Sequence, residues 1–226
     1  MCRSPFSRFS RIALVIDDFG YADESIISGF MLLDIPFTAA VLPYQPFSTL
    51  SAEAAHTSAR EVLLHLPMQG RDGKDAGPDA LLDALSEAEL RARTRKAMRS
   101  VPFLVGANNH MGSVLTADST KMRWVLEELQ KQNLFFFDSR TTDKSVGETM
   151  ARSIGVPTAA RRVFLDNVKE FASIEAEWTR AVRFAERDGS ALVIGHVYPK
   201  TLAALRVLVP QYAGRLQFVA VSEVVH

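Results

Sequence analysis

The stretch Arg11-Ile12-Ala13-Leu14-Val15-Ile16-Asp17-Asp18 decides the fold: an unbroken apolar run that stops abruptly at two carboxylates. Continuous hydrophobicity, rather than strict alternation, is the mark of a parallel strand covered on both faces. Runs of the same kind recur at 37–42, 61–64, 104–107, 134–137, 163–165, 191–194 and 217–221. Between them lie amphipathic stretches with helix signals, near 23–33, 49–60, 86–99, 118–132, 145–154, 173–187 and 201–208. Ser86 and Glu89 have the capping-box spacing, in which each side chain satisfies an orphaned backbone N–H at a helix start. Gly189 suits the left-handed position that ends a helix. Strand and helix alternating in this way predict right-handed crossovers and a parallel sheet in an α/β fold. A single distorted (β/α) barrel of about seven parallel strands is expected rather than an open, doubly wound sheet. No repeat or composition break marks a second domain, so one domain is expected over 12–226, after an irregular segment 1–11.

Composition narrows the function classes. The 226 residues are 47% hydrophobic, enough for one sizeable core. Twenty-six basic and 26 acidic side chains cancel, so no net field attracts nucleic acid, and nucleic-acid binding is set aside. The single cysteine, Cys2, allows no internal disulfide and no thiolate cluster, so a bound metal must be held by nitrogen and oxygen. The basic, Ser-rich opening 1–11 lacks the apolar core of an export signal, and the first apolar run is too short to span a bilayer. No membrane span is expected.

The residues that end the apolar runs carry the chemistry. In parallel α/β folds the carboxyl ends of the strands open on one face, where side chains from different strands converge. Here those ends are Asp17 and Asp18, His65, Asn108 to His110, Asp138 to Arg140, Asp166 and Asn167, and His196. Histidine is not a preferred helix cap, yet three of the five histidines end strands, so the set reads as a site. Taken singly, Asp166, Asn167 and Asn108 read as caps, and Met68 and Met111 as packing. His56, on a helix face, and His226, at the end, receive no role. The Gly-, Asp- and Pro-rich segment 70–83 follows the strand that ends in His65 and is expected to line the site. One carboxylate with two imidazoles is a common ligand set for a hydrolytic metal ion, and Asp18, His65 and His110 fit it. Of the adjacent carboxylates Asp17 and Asp18, one can ligate while the other handles protons.

Six strings, VIDDFG, LLHLPM, NNHMGS, FFFDSRTT, VFLDN and VIGH, occur in this order between residues 12 and 221. Together they resemble the divergent polysaccharide deacetylases, relatives of the NodB-type carbohydrate esterases. The resemblance implies a metal held by Asp18 and histidines, Asp17 as base and His196 as acid. It implies a divalent cofactor, Zn²⁺ first, with Ni, Co or Mn as alternatives. The substrate would be an acetylated polysaccharide or oligosaccharide, and the setting periplasmic or cell-envelope. The sequence departs from the better-known enzymes in two places. Gln69 stands where they place a second metal histidine one turn beyond the first, so either His110 supplies that imidazole or the metal is held by fewer protein groups. Their Arg-Pro-Tyr motif is missing, and its positioning role falls to Arg140 or Arg161. Asn109, Asp138, Ser139, Arg140, Arg161 and Asp166 are expected to bind substrate or to support the histidines. Two rival readings remain: a metal-dependent phosphoesterase or amidohydrolase, and a carbohydrate-binding or envelope protein with a vestigial site.

Overall fold

The computed structural model describes residues 10–71 and 73–226. Expectations for residues 1–9, Cys2 among them, lie outside that range. Among the described residues nine strands form one all-parallel sheet: β1 (Ser10–Phe19), β2 (Thr38–Val41), β3 (Glu61–Met68), β4 (Leu104–Met111), β5 (Phe135–Asp138), β6 (Thr158–Ala160), β7 (Val163–Phe164), β8 (Ser190–His196) and β9 (Leu216–Val219). Around them run α1 (Glu24–Met31), α2 (Ser48–Thr57), α3 (Glu87–Ser100), α4 (Ser119–Gln130), α5 (Gly147–Ser153), α6 (Phe171–Asp188) and α7 (Pro199–Leu208). Helix starts obey local chemistry. Asp23 and Asp118 accept backbone N–H bonds at the heads of α1 and α4, and Ser86 with Glu89 forms a complete capping box on α3. Gly189 ends α6 in the left-handed conformation, at φ 86°.

The pairing order β6-β5-β4-β3-β2-β1-β8-β7 curls into a distorted barrel. Its closure is unusual in one respect. β6 and β7 are two halves of one extended run, across which the pairing passes from β5 to β8. Within the link, Arg161 N–H donates to Asp138 C=O and Arg162 N–H donates to Leu192 C=O. Counted as one, the two halves give the barrel seven positions. β9 adds beside the first half of β1, on the edge whose later half pairs with β2.

Alternation along β1 sorts the core into two layers. Ile12, Leu14 and Ile16 point outward into the large cluster beneath the helices, with Phe30, Leu126, Trp178 and Leu205. Ala13 and Val15 point into the barrel with Ala40, Leu63, Phe137 and Ile194, and Val219, Val221 and Val224 complete that inner cluster. The C-terminal segment is fixed at the strand starts, where His226 and Thr158 exchange two backbone hydrogen bonds.

Three expectations need correction. β1 begins at Ser10, so the irregular segment does not reach residue 11. The strand β6 is absent from the sequence reading, because Thr158-Ala159-Ala160 is too short and too small to register as an apolar run. The site-bearing strands also continue past the end of their apolar runs, β1 to Phe19, β3 to Met68 and β4 to Met111. Their polar residues are paired within the sheet, which satisfies the backbone while the side chains face the barrel mouth.

Candidate metal-dependent active site

Adjacent residues of a strand face opposite ways, yet Asp17 and Asp18 both reach the barrel mouth. A β-bulge accounts for this. Ile16 pairs with Ala39 and Phe19 with Val41, so β1 spends three residues where β2 spends two. The extra residue is Asp18, held at φ 68°, a left-handed conformation that aspartate tolerates better than most residues. Asp17 keeps the inward direction of Ala13 and Val15, and the bulge turns Asp18 toward the same space.

His65 enters from β3 and His110 from β4. Asp18 Oδ1 lies 3.3 Å from His65 Nε2 and 3.1 Å from His110 Nδ1, and the two nitrogens are 3.0 Å apart. Atoms bound about 2.0–2.1 Å from one tetrahedral zinc ion are themselves about 3.3 Å apart. The donor set fits such an ion on a second count. Asp18 Oδ1 is buried and, among the described residues, has no hydrogen-bond partner. A buried anionic oxygen with only imidazole nitrogens beside it is best stabilised by positive charge there, which a metal ion shared with those nitrogens would supply.

Asn108 organises the pair behind this cluster. Its Nδ2 donates to Asp17 Oδ1 at 2.8 Å, which leaves Oδ1 to accept from His65 Nδ1, also at 2.8 Å. His65 therefore carries its proton on Nδ1 and turns the Nε2 lone pair toward Asp18 and His110. Asn108 is fully buried, and Ser139 Oγ stands behind its amide at 3.2 Å. The sequence offers Asn108 as a strand-end cap or as a support of His110; it instead bridges Asp17 and His65. The available signal was its position two residues before His110, on the same strand face.

Asp17 and His196 are direct register partners across β1 and β8. Asp166 accepts from His196 Nδ1 through Oδ1, and from His196 N–H and Thr201 Oγ through Oδ2, at 2.6–2.7 Å. The His196 ring lies nearly parallel to Phe164, 5.7 Å away, and to Tyr198, 5.4 Å away. Lys169 Nζ sits 3.5 Å over the Tyr198 ring.

The environments drive the two aspartates apart. Burial pushes the Asp17 carboxyl up, against the pull of His65, His196 and Asn108. Burial also opposes the charge of Asp18, but the two imidazoles outweigh it and hold that group well below the ordinary carboxylate range. Burial disfavours the His196 cation as well, yet Asp166, with Asp17 and Asp18 behind it, pushes its pKa up to about 9. Neighbouring groups shifted in opposite directions are the usual sign of divided acid–base roles.

The other expected residues are placed as follows. Gln69 is turned to the loop: its Oε1 accepts from Asp83 N–H at 2.7 Å and its N–H donates to Leu81 C=O, pinning the segment 70–83 to β3. Asp138 does not join the cluster. It anchors the head of α5, accepting from Ser145 Oγ, Glu148 N–H and Arg140 N–H. Asn109 ties β4 to the next loop through Ser139 N–H and Met111 C=O. Arg140 is exposed, and its C=O accepts from Arg161 Nη2. Of the two candidate arginines, Arg161 is the one packed toward His196, its guanidinium 3.9 Å over the Phe164 ring.

Comparison with known proteins bears on the fold and the family. An uncharacterized protein of Haemophilus influenzae is 36% identical over 197 residues, spanning 87% of this chain and 70% of that protein. The uncharacterized protein YibQ of Escherichia coli is 36% identical over 199 residues, and the chain spans 62% of its length, less than two thirds. A solved but uncharacterized protein of Agrobacterium tumefaciens shares the fold at a TM-score of 0.89, with 23% identity over 97% of this chain and 92% of that one. The catalytic domain of a peptidoglycan N-acetylglucosamine deacetylase from Eubacterium rectale superposes at 0.56, with 12% identity over 97% and 92% of the two chains. Residues 14–225 match the family described as divergent polysaccharide deacetylase, and the chain belongs to that family.

Proposed function

We propose that the protein is a metal-dependent carbohydrate deacetylase, hydrolysing N- or O-acetyl groups of a cell-envelope or periplasmic saccharide. The observation that carries this reading is the convergence of Asp18 Oδ1, His65 Nε2 and His110 Nδ1 within 3.0–3.3 Å of one another, flanked by Asp17 and His196. A divalent ion held by these three residues, with zinc the first expectation, would supply Lewis-acid polarisation of the acyl carbonyl and a more acidic water. Asp17, made more basic by burial and oriented by Asn108, takes the proton of the attacking water. His196 engages Asp166 through Nδ1, which leaves Nε2 to protonate the departing amine or alkoxide. Asn108 couples the two halves, since one amide fixes both the base and a metal-binding imidazole.

The test is acetate release from a panel of N- and O-acetylated saccharides by zinc-loaded protein, with phosphate esters as controls. Asp17→Asn should lower turnover by roughly two to four orders of magnitude, the span of a general base, while elemental analysis shows the metal retained. His110→Ala should lose the metal itself. Full activity in Asp17→Asn, or full zinc content in His110→Ala, would overturn the assignment.

A further inference from the structure

One aromatic ring away from His196, a cavity of about 410 Å³ opens between the end of β7 and the first turns of α6. Its walls include Arg161, Arg162 and Arg180, with Asn167 and Ser173 as neutral hydrogen-bonding groups and Glu177 as the one carboxylate. In a chain whose charges cancel, this is a local excess of positive charge. The three guanidiniums are not equally committed. Arg180 pairs with Glu177 and Arg162 with Asp188, both at 3.1 Å. Arg161 has no carboxylate partner among the described residues. Its Nε and Nη2 donate to the carbonyl oxygens of Ser139 and Arg140 at 2.7 and 2.8 Å. Burial pushes its pKa down to about 10, so its charge is carried at a cost that carbonyl dipoles offset only in part. The underside of that guanidinium rests on Phe164, whose other neighbour is the His196 ring.

We infer that this cavity is a second binding site, which takes a carboxylate of the saccharide whose acetyl group lies at Asp17 and His196. The substrate class is then an acidic acetylated saccharide rather than a neutral one. A planar carboxylate matches the fork of a guanidinium, and a monoanion matches the one uncommitted cation better than a phosphate dianion does. Phe164 serves both sites: one neighbour is the proton donor of the reaction, the other the arginine that would read the anion. This inference rests on the deacetylase reading for the position of the acetyl group, but the anion site is measurable without it.

Two N-acetylated oligosaccharides, alike except for carboxylates on the sugar next to the acetylated one, provide the test. The acidic one should have a kcat/KM about tenfold higher at low salt, the size expected of a charge-assisted hydrogen bond, with the difference residing in KM. The preference should shrink as salt screens it. Arg161→Gln and Arg180→Gln should each collapse the ratio between the two substrates through KM of the acidic one. Equal kcat/KM values in the wild type, or an unchanged ratio in both variants, would overturn the inference. If neither substrate is hydrolysed, the deacetylase reading fails, and calorimetric titration with the same two saccharides still decides: tighter binding of the acidic one, weakened by Arg180→Gln, supports the site, and equal binding refutes it. Inorganic phosphate competing as well as the acidic saccharide would refute the carboxylate assignment.

Discussion

Asp166 and His196 meet at 2.7 Å, and this contact fixes a pH window. The folded pKa of about 9 lies above the ordinary value of 6.5, so His196 stays protonated where a free imidazole does not. The stabilisation from the pair is full below about 6.5, declines as pH rises and is gone above about 9. In the proposed role of proton donor His196 would work over the same range, so kcat should fall on the alkaline side near pH 9. Asp166→Asn removes the main favourable partner, and its alkaline limb should move toward the ordinary histidine range; a pH–rate profile of the two proteins checks this. The convergence of Asp18, His65 and His110 was legible in the sequence, because imidazoles at strand ends have few structural uses. Asp138 and Asn108 were not separable by that rule. Both are polar residues at the ends of apolar runs, but one anchors α5 and the other bridges Asp17 and His65. Only their contacts across the sheet, invisible until the register is known, tell them apart.

At the scale of elements, geometry depends on close approach as much as on pattern. Gly106 of β4 faces Phe135 of β5 so closely that a Cβ would sit 2.7 Å from the ring. Gly106→Ala should therefore cost about 1–3 kcal/mol, the range for overpacking. Ser86→Ala, which removes one half of the α3 capping box, should cost about 1 kcal/mol. The two sites share no partner, so the double variant should show the sum, and chemical denaturation of all three proteins checks both values. The sequence showed eight of the nine strands because each carries an apolar run. It hid β6, whose Thr158-Ala159-Ala160 owes its conformation to pairing with β5. The bulge in β1 was equally hidden: nothing in Asp17-Asp18 alone says that the ladder slips by one residue there.

For the whole molecule, the three candidate ligands come from two strand ends and a bulge in a third strand, so a bound ion would tie β1, β3 and β4 together. Binding to the folded state alone stabilises by mass action, about 2.7 kcal/mol at a free ion concentration of 100 times Kd. Zinc should raise the Tm of the wild type, a chelator should reverse the rise, and His110→Ala should abolish it, all by scanning calorimetry. The gain should weaken in acid. Burial disfavours a charged His65, but Asp17 and Asp18 outweigh it and raise its pKa, so a proton competes for the nitrogen that the ion would use. The pairing of β1 has a kinetic consequence. The strand that bears Asp17 and Asp18 is flanked by β8 and β9, which follow every other described strand in chain order. Its neighbour β2 is near in sequence, but β8 pairs with β1 only across a long stretch of intervening chain. Closure over so long a stretch of chain slows folding, because the entropy of bringing the two strands together is lost before their contacts can form.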